Sequence, residues 1–123
     1  MIEGFTKFEA WGKAMDIASA LHELTGHFPA EERFALVSQM RRASVSVAAN
    51  IAEGFGRYTA ADKKHKYVQA RGELVEVMTF LHYCKRVGYS SPDRVSLVLA
   101  DCDEMYKLLN ALIATMHRRN PNP

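Results

Sequence analysis

The sequence predicts an all-α fold, an antiparallel up-down-up-down four-helix bundle, on three observations. Apolar residues recur at threes and fours through four separate stretches, glycine or proline closes each stretch, and no strand-length run of clean two-residue alternation occurs. The 123 residues are 48% hydrophobic and 24% charged. That composition excludes disordered, collagen-like and disulfide-scaffold classes. It fits a single domain over 1–123 with a short loose N-terminus and a disordered tail from about 119.

The first stripe runs Phe8, Trp11, Ala14, Ile17/Ala18, Leu21 and Leu24, and Gly26 ends it. A second helix is expected from Ala30, after Pro29, with Glu31 and Glu32 in its positive first turn. Its stripe, Leu36/Val37, Met40, Ser44, Val47/Ala48 and Ile51, is rich in small residues, which let neighbours approach and mark the most enclosed helix. Gly54 and Gly56 supply the freedom of a helix end and loop.

Thr59 caps the third helix, with Asp62 three residues on. Its stripe, Tyr67, Ala70, Leu74, Val77/Met78, Leu81 and Cys84, is expected to be the longest and stops at Gly88. Ser91, Pro92 and Asp93 start the fourth, whose stripe runs Val95, Val98/Leu99, Cys102, Met105/Tyr106, Leu109, Leu112/Ile113 and Met116. The short connections make neighbours antiparallel.

No apolar run reaches the roughly 18 residues of a membrane span, and the N-terminal stretch lacks the apolar core of a signal peptide, so a cytoplasmic protein with no membrane partner is expected. Cys84 and Cys102 sit at helix-periodic apolar positions as free core thiols. The net charge of +2 is unevenly spread. Residues 1–60 hold six Lys/Arg against seven Asp/Glu, and residues 61–123 hold ten against seven.

Catalysis finds no footing. A di-iron bundle needs paired Glu-x-x-His motifs, and the nearest pattern, Asp62 to His65, is flanked by lysines. His22-Glu23 with His27 misses zinc-ligand spacing by one residue. No Arg precedes a His at the spacing of small helical ribonucleases, Ser44 and Ser46 lack a nearby base, and neither Cys has an activating neighbour. His22, His27, His65, His82 and His117 share no face. The expectation is a non-enzyme with no cofactor and no metal.

Two stretches carry the binding argument. Within residues 39–57, Asn50 beside the Val47/Ile51 stripe is expected to bond across a helix interface, since an unmade buried amide bond costs about 1–3 kcal/mol. Arg42 and Glu53 fall on one face three turns apart, with Arg57 four beyond Glu53. They read either as solvated ion pairs or as an oligomer interface. Gly72, inside the third helix, costs up to about 1 kcal/mol unless another backbone, intra- or intermolecular, passes close. The dense basic cluster is Arg57, Lys63, Lys64, Lys66 and Arg71, with His65 among them and Tyr58 and Tyr67 available to stack on bases.

Phe28-Pro29 with Glu32, the segment RRASVSVAANIAEG ending at Gly54, Ala70-Arg71-Gly72 with Leu74 and Glu76, and the Gly88-Tyr89 turn together carry a resemblance. The chain resembles the four-helix bundle family of ribosomal RNA intervening-sequence proteins, related to the accessory protein of diversity-generating retroelements. It departs from the usual pattern at Ala35, Glu73 and Val77. The resemblance implies homo-oligomers, typically pentameric rings, in an RNA context. The expected function is a pentameric bundle binding RNA or DNA nonspecifically through its basic surface and presenting it to a nucleic-acid-processing protein. The alternative is a protein-binding scaffold that recruits an enzyme without touching nucleic acid. Salt dependence separates the two, because phosphate contacts weaken steeply with salt.

Overall fold

Periodicity at threes and fours becomes four packed helices in the computed structural model, which describes residues 3–119. A single 3-10 turn, Gly4–Lys7, leads into α1 (Glu9–Thr25). A second short 3-10 helix, Ala30–Glu32, precedes α2 (Leu36–Gly56), and α3 (Ala60–Val87) and α4 (Pro92–Arg119) follow. Among the described residues there is no strand. α1 packs on α2 and α4, and α3 on α2 and α4, so the helices form a square with each touching its two neighbours. No helix among the described residues is long and apolar enough to cross a membrane.

The expected stripes fill the core. Leu21, Met40, Ile51, Leu74, Leu81 and Leu109 are fully enclosed, and each such side chain contributes roughly 1.5–3 kcal/mol. Cys84 and Cys102 are buried free thiols, and Cys84 Sγ lies 3.6 Å from Met40 Sδ. Burial, and secondarily the charge of Glu32, push the Cys84 thiol up to about 11. Burial, with Asp101 adding to it, pushes Cys102 up to about 12.

Helix starts and stops follow the capping chemistry in α3 and α4. The Thr59 hydroxyl accepts from Asp62 N–H at 3.1 Å, and Ser91 Oγ accepts from Arg94 N–H at 3.2 Å. Gly88 closes α3 at φ 76°, with its N–H on Cys84 O. α3 and α4 are equally long at 28 residues, so α3 is not the single longest.

Ahead of α1, Phe5 of the first 3-10 turn packs edge-on to Trp11 with centroids 5.4 Å apart, and residues 1–2 of the expected loose N-terminus lie outside the described residues. Two expectations fail at the ends of α2. The segment after Pro29 does not enter α2, which begins at Leu36, so Glu31 and Glu32 belong to the separate 3-10 turn. Tertiary contacts hold that turn back: Tyr89 Oη donates to Glu32 Oε2 at 2.9 Å, and the Phe28 and Tyr89 rings lie 5.5 Å apart. Gly54 and Gly56 stay inside the last turn of α2. The tail beyond residue 119, expected to be disordered, lies outside the described residues.

Candidate nucleic-acid interface

The basic cluster stands at one end of the bundle, and antiparallel packing brings a second basic segment to it. α3 starts there with Lys63, Lys64 and Lys66, α4 ends there with His117, Arg118 and Arg119, and Arg57 caps the end of α2. Lys64 Nζ lies 3.1 Å from His117 Nδ1, which accepts the bond. Burial, and secondarily the positive charge of Arg119, hold the Lys63 ammonium below the usual lysine range.

Most of the cations named from the sequence already have work inside the chain. Lys63 Nζ donates to Phe55 O at 2.7 Å and Gly54 O at 3.3 Å, satisfying carbonyls at the end of α2, and sits 5.7 Å from the Phe55 ring centre. Lys66 Nζ pairs with Glu53 Oε2 at 2.8 Å, and Arg71 Nη1 donates to Asn110 Oδ1 at 2.9 Å. His65 bonds Gln69 along its own helix. Arg57 is exposed at the rim, beside Tyr58, which is 96% exposed.

Tyr67 cannot stack on a base. It is 3% exposed, its ring packs on Phe8, and its hydroxyl titrates above the usual range because it is buried. Tyr67 sits at a core position of α3, one residue away from the solvent-facing Val68, and the stripe that made it a core residue also removes it from the surface.

The polar row divides into two cross-helix ties. Arg42 Nη2 reaches Glu76 Oε1 at 3.3 Å and approaches Glu73 Oε2 at 3.9 Å, while Glu53 is taken by Lys66 rather than Arg57. Both ties join α2 to α3 within one chain; the exposed Arg42–Glu76 pair is worth about 0.2–1 kcal/mol, whereas the Lys66 side chain is mostly covered. Asn50 does not cross an interface: its Nδ2 donates back to Ser46 O at 2.9 Å within α2. Nor does Gly72 make a close helix contact in the chain, since a Cβ there would meet nothing within 4 Å. The close approach is at Gly54, where a Cβ would stand 2.6 Å from Tyr67 Cε1.

His117, Arg118 and Arg119 were not assigned from the sequence. The signal was present, because antiparallel neighbours place the end of α4 beside the start of α3, and the Arg118-Arg119 pair closes α4. Among the described residues no group of three or more His, Cys, Asp or Glu could hold a metal ion.

Residues 6–111 match a protein family described as 23S rRNA-intervening sequence protein. The fold is similar to a crystal structure of a protein of unknown function from the S23 ribosomal protein family of Bacteroides thetaiotaomicron. The two share 23% identity and a TM-score of 0.76, over 85% of this chain and 97% of that one. At that identity the likeness speaks for the fold. No curated protein matches the sequence.

Proposed function

The chain belongs to the 23S rRNA-intervening sequence protein family, and from that premise we propose a non-enzymatic, homo-oligomeric protein that binds RNA or DNA without sequence preference at its basic end. The observation that supports this is the convergence of α3's start and α4's end, with Lys64 and His117 3.1 Å apart and Arg119 close enough to disfavour the Lys63 charge. Lys64, Arg118 and Arg119 gather positive charge at that end, and a phosphate laid across it releases its counterions. Arg57, Lys64, Arg118 and Arg119 are the contact residues of this reading, with exposed Tyr58 as a stacking platform. Lys63, Lys66 and Arg71 serve the fold first and add field.

Self-association draws support from α3's outer side, where Val68, Gly72 and Val75 recur at fours and threes, and all three are exposed. The open space over Gly72 would admit the backbone of another copy, and a pentameric ring would repeat the basic end around one polyanion. The scaffold alternative rests on the internal commitments of Lys63, Lys66 and Arg71, which leave fewer cations for phosphate than the sequence count.

Fluorescence anisotropy of labelled single-stranded RNA across a salt series tests the proposal. Wild-type binding should weaken steeply with salt, and a Lys64→Glu/Arg118→Glu/Arg119→Glu variant should lose about tenfold or more in affinity at low salt. Undiminished binding by the variant would remove RNA from this end. No binding by the wild type at low salt would favour the scaffold.

A further inference from the structure

A second surface, remote from the basic end in chemistry and residues, runs along the α1–α4 seam. Two hollows of about 150 and 210 Å³ follow one another along it with Asp101 lining both, so the seam is a groove divided at Asp101. The groove spans residues 13–24 of α1 and 94–105 of α4, about 16 Å at the rise of a helix.

Its floor is apolar. Ile17, Leu24, Val98 and Met105 present the edges of buried side chains, and Leu97 stands at the lip with 70% of its surface exposed. The rim is acidic. Asp16 and Glu23 on α1 and Asp101 and Glu104 on α4 are all exposed, and among the described residues none of the four takes part in an ion pair. Lys13 and Arg94 mark the two ends.

We infer that this groove is a docking site for a basic amphipathic helix of a partner protein. Three turns of such a helix would lay apolar residues at i, i+3/i+4 and i+7 on Leu97, Val98 and Ile17, while its Lys or Arg flanks meet the four carboxylates. The charge complementarity decides the class of occupant. Nucleic acid and anionic lipid surfaces are repelled by the four carboxylates, and a basic helix is steered in and held in register. The inference does not rest on the reading of the basic end, whose residues take no part in the groove.

The test uses the full chain and a labelled helical peptide of about fourteen residues, with Leu at threes and fours and Lys elsewhere, beside a scrambled peptide of the same composition. Wild-type protein should bind the amphipathic peptide about tenfold or more tightly than the scramble, since both carry the same charge. Asp101→Lys/Glu104→Lys should weaken that binding by about tenfold or more, and Leu97→Ser by several-fold, with unaltered circular dichroism showing that the surface changes leave the helices intact. Equal affinity for the two peptides, or for wild type and variants, would overturn the proposal, as would failure to bind the peptide at low salt. So would a fall in particle mass in Asp101→Lys/Glu104→Lys, which would assign the groove to a second copy of the chain.

Discussion

Tyr67 and Val68 are adjacent in sequence and face opposite worlds. On the inner side of α3, Tyr67 is 3% exposed and presses so closely on α2 that only glycine fits at position 54. On the outer side, Val68 is 37% exposed, and Gly72, one turn on, has nothing within 4 Å of the place a Cβ would take. The same residue type therefore does opposite things: Gly54 is imposed by packing within the chain, while Gly72 costs helix stability for which this chain shows no return. The difference separates a face that makes the fold from a face left for something else.

The contrast breaks first under truncation. Tyr67→Ala should cost about 3–5 kcal/mol in chemical denaturation, whereas Val68→Ala should stay within about 0.5 kcal/mol in the monomer. Comparable losses at both positions would erase the distinction.

The inner side should also show itself at alkaline pH. Both buried thiols titrate higher in the folded chain, near 11 and 12, than in an unfolded one, so the folded state keeps protons that the unfolded state releases. Their stabilisation is fully present below the ordinary cysteine pKa and is lost as pH rises through about 9 to 12. The unfolding free energy should fall across that window by an amount on the order of a few kcal/mol, read from denaturation curves, and a Cys84→Ala/Cys102→Ala variant should show a shallower fall. An identical pH slope in that variant would rule the thiols out as its source.

The glycine pair gives the smallest and sharpest test, because the two signs differ. Gly54→Ala should destabilise by about 1–3 kcal/mol, since ring carbons of Tyr67 at 2.6 and 2.9 Å must move. Gly72→Ala should stabilise the isolated chain by up to about 1 kcal/mol. Gly72→Leu, which closes the open space, should lower the mass of any oligomer that uses that face. An oligomer of unchanged mass would move the interface elsewhere.

How much of this could be read from the residues depends on whether a feature is local. The caps of α3 and α4 at Thr59 and Ser91, the stop at Gly88 and the core stripes are written in a few consecutive residues, and all were legible. The late start of α2 was not, because Tyr89, far along the chain, holds Glu32 in a separate turn. Periodicity said that Gly54 and Gly72 lie in or near helices but not which side meets a neighbour closely. In the candidate interface, the cations of α3 were visible as a run, but their engagement with Phe55, Glu53 and Asn110 is set by packing between helices. The joining of Arg118 and Arg119 to that run is likewise a consequence of topology.

The most direct test of the central claim is to find where RNA touches the chain. Photocrosslinking with thiouridine-labelled single-stranded RNA, followed by mass spectrometry of the crosslinked peptides, would do so. The account predicts adducts at Tyr58 and within peptides around residues 57–65 and 115–119, lost at high salt. Adducts concentrated on α1, or spread evenly over the surface, would contradict it.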